Sequence, residues 1–376
     1  MIDYKGVPSP CYILDEELLL ENLTKIDHVR ERSGAEIIVA LKANAMWSIF
    51  PLLAAHSDGA TASSLSEARL VFEEFKTPAH TYAPIYTDSN IDEIISLSSH
   101  ITFNSLSQFH RFSQRALLNG ISCGLRVNPR YSPVETDLYN PCVAGSRLGV
   151  TPEELRELPA GVEGLHFHVL CESRAEHLRA ALESFEHYYG HFIPQLKWLN
   201  MGGGHLMTHA EYDCEELIAL LQEFKARHPH LRLILEPGSA FTWRTGVLAS
   251  RIEDVVENGG VRTAMLDVSF ACHMPDCLEM PYKPAIVGAH DPREGEIAWR
   301  MGGNSCLAGD YCGPWAFDKQ PAIGDRVIFE DMIHYTMVKT TMFNGVAHPA
   351  IAIAHKSGEV EIVREFGYED YKSRLS

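Results

Sequence analysis

The chain has 376 residues, 45% of them hydrophobic, which is enough for one large core or two domains and excludes a disordered protein. Its formal net charge of −18 opposes binding to nucleic acid, because a surface of that sign is repelled by phosphates. No apolar run approaches the ~20 residues of a membrane helix, so no membrane partner is expected either.

The N-terminus and the cysteines favour a cytoplasmic location. Residues 1–17 lack the basic stretch and apolar run of a signal peptide. The nine cysteines show no disulfide-framework spacing, which fits reduced thiols in a cytosol.

Between residues 35 and 238, short β-like runs alternate with amphipathic helical patterns such as SEARLVFEEF and CEELIALLQEF. Strands that alternate with helices form a parallel sheet, and eight of them close a barrel. We therefore expect an α/β fold with a (β/α)8 barrel over residues 13–244. The predicted strands are 36–41, 58–62, 80–84, 100–104, 122–128, 162–170, 197–202 and 231–238.

After about residue 245 the long helical patterns end, and β-rich runs separated by Gly, Pro, Asp and Asn follow. This texture predicts a C-terminal, mostly antiparallel β-domain over residues 245–376. A lone β-like run, PCYILD, lies near the N-terminus, and we expect an N-terminal strand over 1–12 to join that domain.

Polar residues lie where the barrel strands end, which is where barrel enzymes build their active sites. In chain order, the set begins with a lysine and ends with a carboxylate, and an arginine, two histidines and three consecutive glycines lie between them. These residues are Lys42, Arg126, His166, His168, Gly202, Gly203, Gly204 and Glu236.

Each of these residues also has an ordinary structural explanation. Lys42 can simply extend to water, the glycines can form a plain turn, and Glu236 can pair with Arg126. His166 and His168 face the same way along a strand, as a metal pair would. No nearby Asp, Glu or Cys completes obvious ligand spacing, so we predict no metal site.

Taken together, the set matches the needs of pyridoxal 5′-phosphate. The Lys42 amine can form a Schiff base, and a histidine ring can stack on the pyridine ring. The glycines let backbone N–H groups approach the phosphate. The Glu236 carboxylate can keep the ring nitrogen protonated, so that the ring accepts electrons.

The order of several motifs resembles the pyridoxal-phosphate decarboxylases of the alanine-racemase fold over nearly the whole chain. Three further phrases are similar to the branch that decarboxylates carboxynorspermidine and carboxyspermidine: HFHVLCE (166–172), HMPDCLEMPY (273–282) and GNSCLAGD (303–310). The motifs shared with the wider family are ALKAN (40–44), FHV (167–169), GGG (202–204), EPG (236–238), SCLAGD (305–310) and YT (335–336) with FNG (343–345). The resemblance implies a homodimer with shared active sites, acting on a cationic carboxylated triamine.

On the cofactor side, the resemblance implies that Lys42 carries the Schiff base and His168 stacks on the ring. Glu236 contacts the pyridine nitrogen and is also placed among the substrate contacts. Arg126 and Tyr335 complete the cofactor set, with Tyr335 holding the phosphate. Ser239 stands where relatives usually carry Arg, and Leu170-Cys171 where they carry Gly-Ser, which removes familiar phosphate or carboxylate contacts.

On the substrate side, the resemblance implies that Cys306, from the partner subunit, protonates the carbanion after CO2 leaves. Asp310, also from the partner, and Asp276 face the amino groups of the substrate. Asp267 and His273 are further substrate-binding candidates. Without the resemblance, we would interpret Cys306 as a small inert core residue.

Alternative functions remain within and outside this fold. Alanine racemases set an Arg, not a Glu, against the ring nitrogen, whereas diaminopimelate and other basic amino-acid decarboxylases are closer competitors. A non-catalytic, cofactor-binding regulator is a third class, although such proteins tend to lose the Lys or Cys that this chain keeps. Carboxynorspermidine and carboxyspermidine differ by one methylene, worth about 1 kcal/mol, and the sequence does not separate them.

Overall fold

The computed structural model describes residues 6–376, which divide into two units. One unit contains residues 6–21 and Thr242–Ser376, and the other contains Asn22–Phe241. The described chain opens with strand β1 (Cys11–Asp15) and helix α1 (Glu16–Ser33), and α1 contributes residues to both units. No helix among these residues is long and apolar enough to cross a membrane.

The second unit is a parallel barrel. Its strands are β2 (Glu36–Ile37), β3 (Val39–Ala40), β4 (Ala60–Ala62), β5 (Ala79–Tyr82), β6 (Ser98–Phe103), β7 (Ser122–Arg126), β8 (Val162–His166), β9 (Trp198–Asn200) and β10 (Arg232–Leu235). The order is β2-β10-β9-β8-β7-β6-β5-β4-β3. β2 and β3 are two halves of one predicted strand, so eight strand positions surround the axis.

Helices follow most of the strands. They are α2 (Phe50–Ala55), α3 (Leu65–Leu70), α4 (Ile91–Leu97), α5 (Leu106–Leu118), α6 (Ala175–Tyr189), α7 (Cys214–Arg227) and α8 (Ser239–Thr242), with 3-10 turns at Trp47–Ile49 and Gly190–Gln195 and a π-helical turn at Val71–Phe75. Side chains fix where several begin: Ser105 accepts the Gln108 N–H at α5, and Asp213 accepts the Glu216 N–H at α7.

The barrel interior is filled by Trp198, which packs with Ile38 and Ile234. Two strands carry glycine where the indole passes. A Cβ on Gly124 would come within 2.2 Å of the indole, and one on Gly164 within 2.0 Å. The indole N–H donates to Ser122 Oγ at 2.8 Å. The barrel interior around Trp198 is therefore a packed core. The polar residues lie nearer the carboxyl ends of the strands, outside this core.

The first unit contains a nine-stranded sheet. Its later elements are β11 (Gly246–Asn258), β12 (Val261–Leu266), α9 (Phe270–His273), α10 (Asp276–Glu279), β13 (Ala289–His290), β14 (Trp299–Gly302), β15 (Tyr311–Phe317), β16 (Arg326–Glu330), β17 (Ala350–Ala354), β18 (Val360–Arg364) and α11 (Tyr368–Lys372), with 3-10 turns at Thr336–Val338 and Phe343–Gly345. The order is β13-β15-β14-β12-β11-β1-β17-β18, and β16 also pairs with β11.

Most strand pairs of this sheet are antiparallel; β1–β17 and β12–β14 are parallel. The predicted fold class, a (β/α)8 barrel followed by a mostly antiparallel β-domain, is confirmed. β1 is a central strand, and four of its five residues are buried. Residues 1–5 of the predicted N-terminal strand lie outside the described residues.

Candidate active site

Lys42 lies just beyond β3, and its amine points at a histidine of the barrel. The Nζ atom is 3.0 Å from Nε2 of His168. Burial lowers the pKa of Lys42, and the positive charge of Arg126 lowers it further. The amine is thus easier to deprotonate than an exposed lysine.

The hydrogen bonds of His168 determine which of its ring nitrogens carries the proton. Nδ1 accepts the backbone N–H of Gly203 at 2.9 Å, so Nδ1 bears no hydrogen. Burial also lowers the pKa of His168 far below its usual value, so the ring is neutral and its one hydrogen is on Nε2. Nε2–H must then donate to Lys42, which requires the lone pair of a neutral amine. Neutral lysine is the form that attacks a carbonyl carbon.

Glu236 follows β10 and is held by two neighbours rather than by Arg126. Asn200 Nδ2 donates to Oε1 at 2.7 Å, and His166 Nε2 lies 3.6 Å from Oε2. Burial alone would raise the pKa of this carboxyl, but His166 and Asn200 outweigh burial and lower it to about 2. The site therefore holds a buried anion.

Arg126 ends β7 and is 4% exposed. Its guanidinium donates to the carbonyl oxygen of His168 at 3.1 Å and lies 4.8 Å from the ring centre of Tyr82. Arg126 thus fixes the backbone that carries His168, and the alternative of an Arg126–Glu236 ion pair is not what the structure shows.

The three glycines are required by close packing as well as by any ligand. Gly202 and Gly204 have φ values of 70° and 90°, and a Cβ on Gly203 would lie 2.2 Å from the Glu236 carbonyl oxygen. The Gly202 N–H donates to Asn200 Oδ1 and the Gly203 N–H to His168. Among the described residues, only the Gly204 N–H of the three has no acceptor. Any phosphate contact from these glycines therefore falls to Gly204.

Sequence reasoning missed three polar residues around this site. Asn200 and Tyr82 lie on barrel strands, and their side chains contact Glu236 and Arg126. Glu67 accepts the Ser63 N–H at 2.6 Å, its pKa is raised by burial, and its charge acts on Lys42. The i, i+2 alternation that places His166 at the end of β8 and His168 two residues beyond it would also have indicated Asn200, two residues before the first glycine.

The C-terminal unit holds the other predicted residues in its own hydrogen-bond network. Cys306 is exposed, and its N–H donates to Asn344 Oδ1 at 2.9 Å. Asp310 is 4% exposed. Its carboxylate accepts the N–H groups of Ala271 and Ser305 at 3.0 and 3.1 Å and the Ser305 hydroxyl at 2.6 Å. Asp310 thus organises the loop that presents Cys306.

The other two predicted acids of this unit, Asp276 and Asp267, also have partners. Asp276 forms an ion pair with Lys339, whose amine lies 3.2 Å from Glu279. Asp267 Oδ1 accepts the Ser250 hydroxyl at 2.8 Å.

Two further predicted residues of this unit are His273 and Tyr335. His273 is completely buried, and its Nδ1 accepts the Ser269 N–H at 3.2 Å. Tyr335 precedes the turn Thr336–Val338 with φ of 50°. The structure brings Lys42, Arg126, His168, the glycines and Glu236 together in the barrel; the substrate-side roles stay predictions.

The barrel residues fit pyridoxal phosphate on their own chemistry. A neutral lysine amine beside a neutral imidazole suits covalent attachment of an aldehyde. A buried carboxylate with a pKa near 2 suits a cationic ring nitrogen.

Comparison with known proteins agrees with this chemistry. The family model described as "Pyridoxal-dependent decarboxylase, C-terminal sheet domain" matches residues 11–333. A carboxyaminopropylagmatine decarboxylase of Synechocystis is 54% identical over 371 residues, covering 98% of this chain and 96% of that protein. A carboxynorspermidine/carboxyspermidine decarboxylase of Campylobacter jejuni is 41% identical, covering 99% of both.

Solved structures show the same likeness. The carboxynorspermidine decarboxylase of Campylobacter jejuni, complexed with norspermidine, superposes with a TM-score of 0.90 at 39% identity, covering 98% of this chain and 100% of that one. A Helicobacter pylori diaminopimelate decarboxylase reaches 0.84 at 18% identity over 99% of both chains. At that identity the second likeness shows the fold alone.

Proposed function

The chain belongs to the pyridoxal-dependent decarboxylases, and from this premise we propose that it decarboxylates a carboxylated polyamine in polyamine biosynthesis. The observation that supports the reaction type is the neutral Lys42 amine held by His168, with the anionic Glu236 in the same barrel. The full-length relatives support the substrate class.

Pyridoxal phosphate would be bound by residues of the barrel. Lys42 would attach it covalently, His168 would pack on its ring, and Glu236 would contact its ring nitrogen. Gly204, with Tyr335 as the resemblance implies, would bind the phosphate. When bound, the cofactor supplies an electron-accepting ring that takes up the electron pair left as the carboxylate departs as CO2.

The charge of Glu236 favours decarboxylation over racemisation. An anionic carboxylate keeps the ring nitrogen protonated, which makes the ring a strong electron acceptor. The arginine of alanine racemases would leave the nitrogen unprotonated. Because Asn200 and His166 keep Glu236 ionised, the chain is built for the stronger electron demand.

Two classes of carboxylated polyamine are candidate substrates, and they differ in the cation at the end distant from the α-carboxylate. Carboxynorspermidine and carboxyspermidine end in a primary ammonium, a compact charge with three donors. Carboxyaminopropylagmatine ends in a planar guanidinium with its donors in a fixed fork. The 54% identity to a protein named for the second substrate favours it, and two 39–41% relatives are named for the first.

A substrate panel tests this proposal. CO2 release is measured from carboxynorspermidine, carboxyspermidine, carboxyaminopropylagmatine, ornithine, lysine and diaminopimelate with one preparation of loaded enzyme. We expect a kcat/KM at least a hundredfold higher for one of the three carboxylated polyamines than for the three amino acids. Highest activity on diaminopimelate would refute the substrate class, and cofactor binding without CO2 release from any of the six would favour a regulator.

The remaining features of the proposal come from the resemblance. Cys306 of the partner subunit would return the proton, and Asp276, beside Lys339, would face the distal cation. His273 and Asp267 remain further candidates near the substrate. A cytoplasmic location is supported by nine free cysteines.

A further inference from the structure

His166 is a buried histidine to which no contact with the cofactor or the substrate has been assigned. It ends β8 two residues before His168 and is 2% exposed. Neither ring nitrogen makes a hydrogen bond among the described residues, and Nε2 lies 3.6 Å from Glu236 Oε2. Buried imidazoles normally have partners, so this one points to a missing interaction.

The groups that surround His166 come from several barrel strands. The ring of Tyr82, on β5, is 5.4 Å away, centre to centre. Burial lowers the pKa of His166. The carboxylate of Glu236 acts against this change, and the positive charge of Arg126 lowers the pKa further. The imidazole is thus neutral and has one N–H to donate. Glu236 is the one anion among these neighbours.

Glu236 has a carboxylate oxygen, Oε2, that can accept that N–H. Asn200 donates to Oε1 at 2.7 Å, whereas Oε2 has His166 just beyond hydrogen-bond length. A shift of about half an ångström brings 3.6 Å to that length. With Oε1 bonded to Asn200 and Oε2 bonded to His166, the plane of the Glu236 carboxylate would be fixed.

We propose that His166 is a positioning residue that donates Nε2–H to Glu236 Oε2, so that the carboxylate stays ionised and oriented toward the ring nitrogen of the cofactor. The inference rests on the proposed function, because it takes Glu236 as the partner of that nitrogen. His166 itself need not touch the cofactor or the substrate.

The test reads the ring nitrogen directly. Apoenzyme is loaded with ¹⁵N-labelled pyridoxal phosphate, and the ¹⁵N chemical shift distinguishes a protonated from an unprotonated ring nitrogen at neutral pH. We expect a protonated nitrogen in the parent protein and a largely unprotonated one in His166→Phe, with kcat at least tenfold lower. His166→Gln has an amide N–H that reaches the Nε2 position and should restore most of both properties.

A matched control is available within the barrel. His100 is also a largely buried imidazole, stacked on His80 at 3.9 Å, and burial lowers its pKa to about 4. His100→Phe should leave the ¹⁵N shift unchanged. If His166→Phe does not fold, His166→Asn, whose amide is too short to reach Oε2, replaces it in the comparison with His166→Gln.

The outcomes separate the inference from its premise. An unchanged ¹⁵N shift and kcat in His166→Phe, or equal values for His166→Asn and His166→Gln, would overturn the role of His166 alone. Failure of the parent protein to bind labelled cofactor with a protonated ring nitrogen would overturn the proposed function itself.

Discussion

Glu236 is a carboxylate whose ionisation depends on neighbours rather than on water. Glu236→Gln keeps an oxygen that can accept from Asn200 but removes the charge. We expect kcat to fall about a hundredfold or more, with a much smaller loss of cofactor affinity, because an amide does not hold a proton on the ring nitrogen. Steady-state kinetics and a cofactor titration on the same preparation measure both.

The low pKa of Glu236 also predicts a pH dependence of stability. Its value in the fold is about 2, below the ordinary glutamate value near 4.3. The stabilising contribution is therefore complete above about pH 4.3 and is lost as pH falls toward 2. We expect the difference in unfolding free energy between unloaded parent and Glu236→Gln to shrink across that window. A difference that does not change with pH would contradict this account.

At the residue scale, the sequence revealed the groups that stand at strand ends but not their partners. Lys42, His168 and Glu236 could be found because each ends or follows an apolar strand. That Asp310 bonds Ala271 was not visible, because 39 residues separate them and the fold alone brings them together. The hydrogen bond from the Gly203 N–H to His168 was not visible in the sequence for the same reason.

At the element scale, the loop 303–310 is a unit held by Asp310. A Cβ on Gly303 would come 2.3 Å from the carboxylate, so glycine there makes room for it. Asp310→Asn turns an acceptor oxygen into a donor that faces N–H and hydroxyl donors. We expect the melting temperature of the unloaded protein to fall by about 2–4 °C, since losing a charge-assisted hydrogen bond costs about 1.5–3 kcal/mol.

A second measurement decides between this structural role and the substrate contact that the resemblance implies. If Asp310 mainly shapes the loop, the reaction rate of Cys306 with a thiol reagent changes along with the melting temperature. If it mainly binds substrate, KM rises while melting temperature and thiol reactivity stay at parental values. Asp318→Asn, at an exposed carboxylate of the same unit, is the control and should change none of these.

The first barrel strand was correctly predicted as a strand, but the sequence did not predict that it is broken into two. The run at 36–41 is apolar after Glu36, yet the structure breaks it between Ile37 and Val39. β2 pairs with β10, and β3 pairs with β4, so the break lies where the barrel closes. Closure sets the tilt and stagger of all strands together, and no local pattern encodes it.

At the scale of the whole molecule, the question is whether the active site needs two chains. Cys306 is exposed, and apolar side chains near it in the chain or in its hydrogen-bond network are exposed as well: Leu307, Tyr311 and Phe343. Apolar groups gathered around an exposed thiol are typical of a surface that another protein surface covers. With the resemblance, this supports a homodimer in which Cys306 of one subunit serves the cofactor of the other.

Complementation between two inactive variants tests the shared site. Lys42→Ala lacks the covalent attachment point and Cys306→Ala lacks the proton donor, so each homodimer is expected to be inactive. After random exchange at equal amounts, half of the dimers are mixed, and each mixed dimer has one intact site of its two. About a quarter of the parental kcat should return, because one subunit supplies Lys42 and the other supplies Cys306.

The return of about a quarter of the parental activity distinguishes a shared site from a site built within one chain. If each site were built within one chain, every site in a mixed dimer would still lack one of the two groups, and exchange would restore nothing. Subunit exchange must be shown independently, with differently tagged subunits recovered together on affinity purification. A double variant that carries both changes in one chain, mixed with parental protein, is the matched control. Its mixed dimers hold no intact shared site, so activity should fall to a quarter of parental rather than the half expected for sites within one chain.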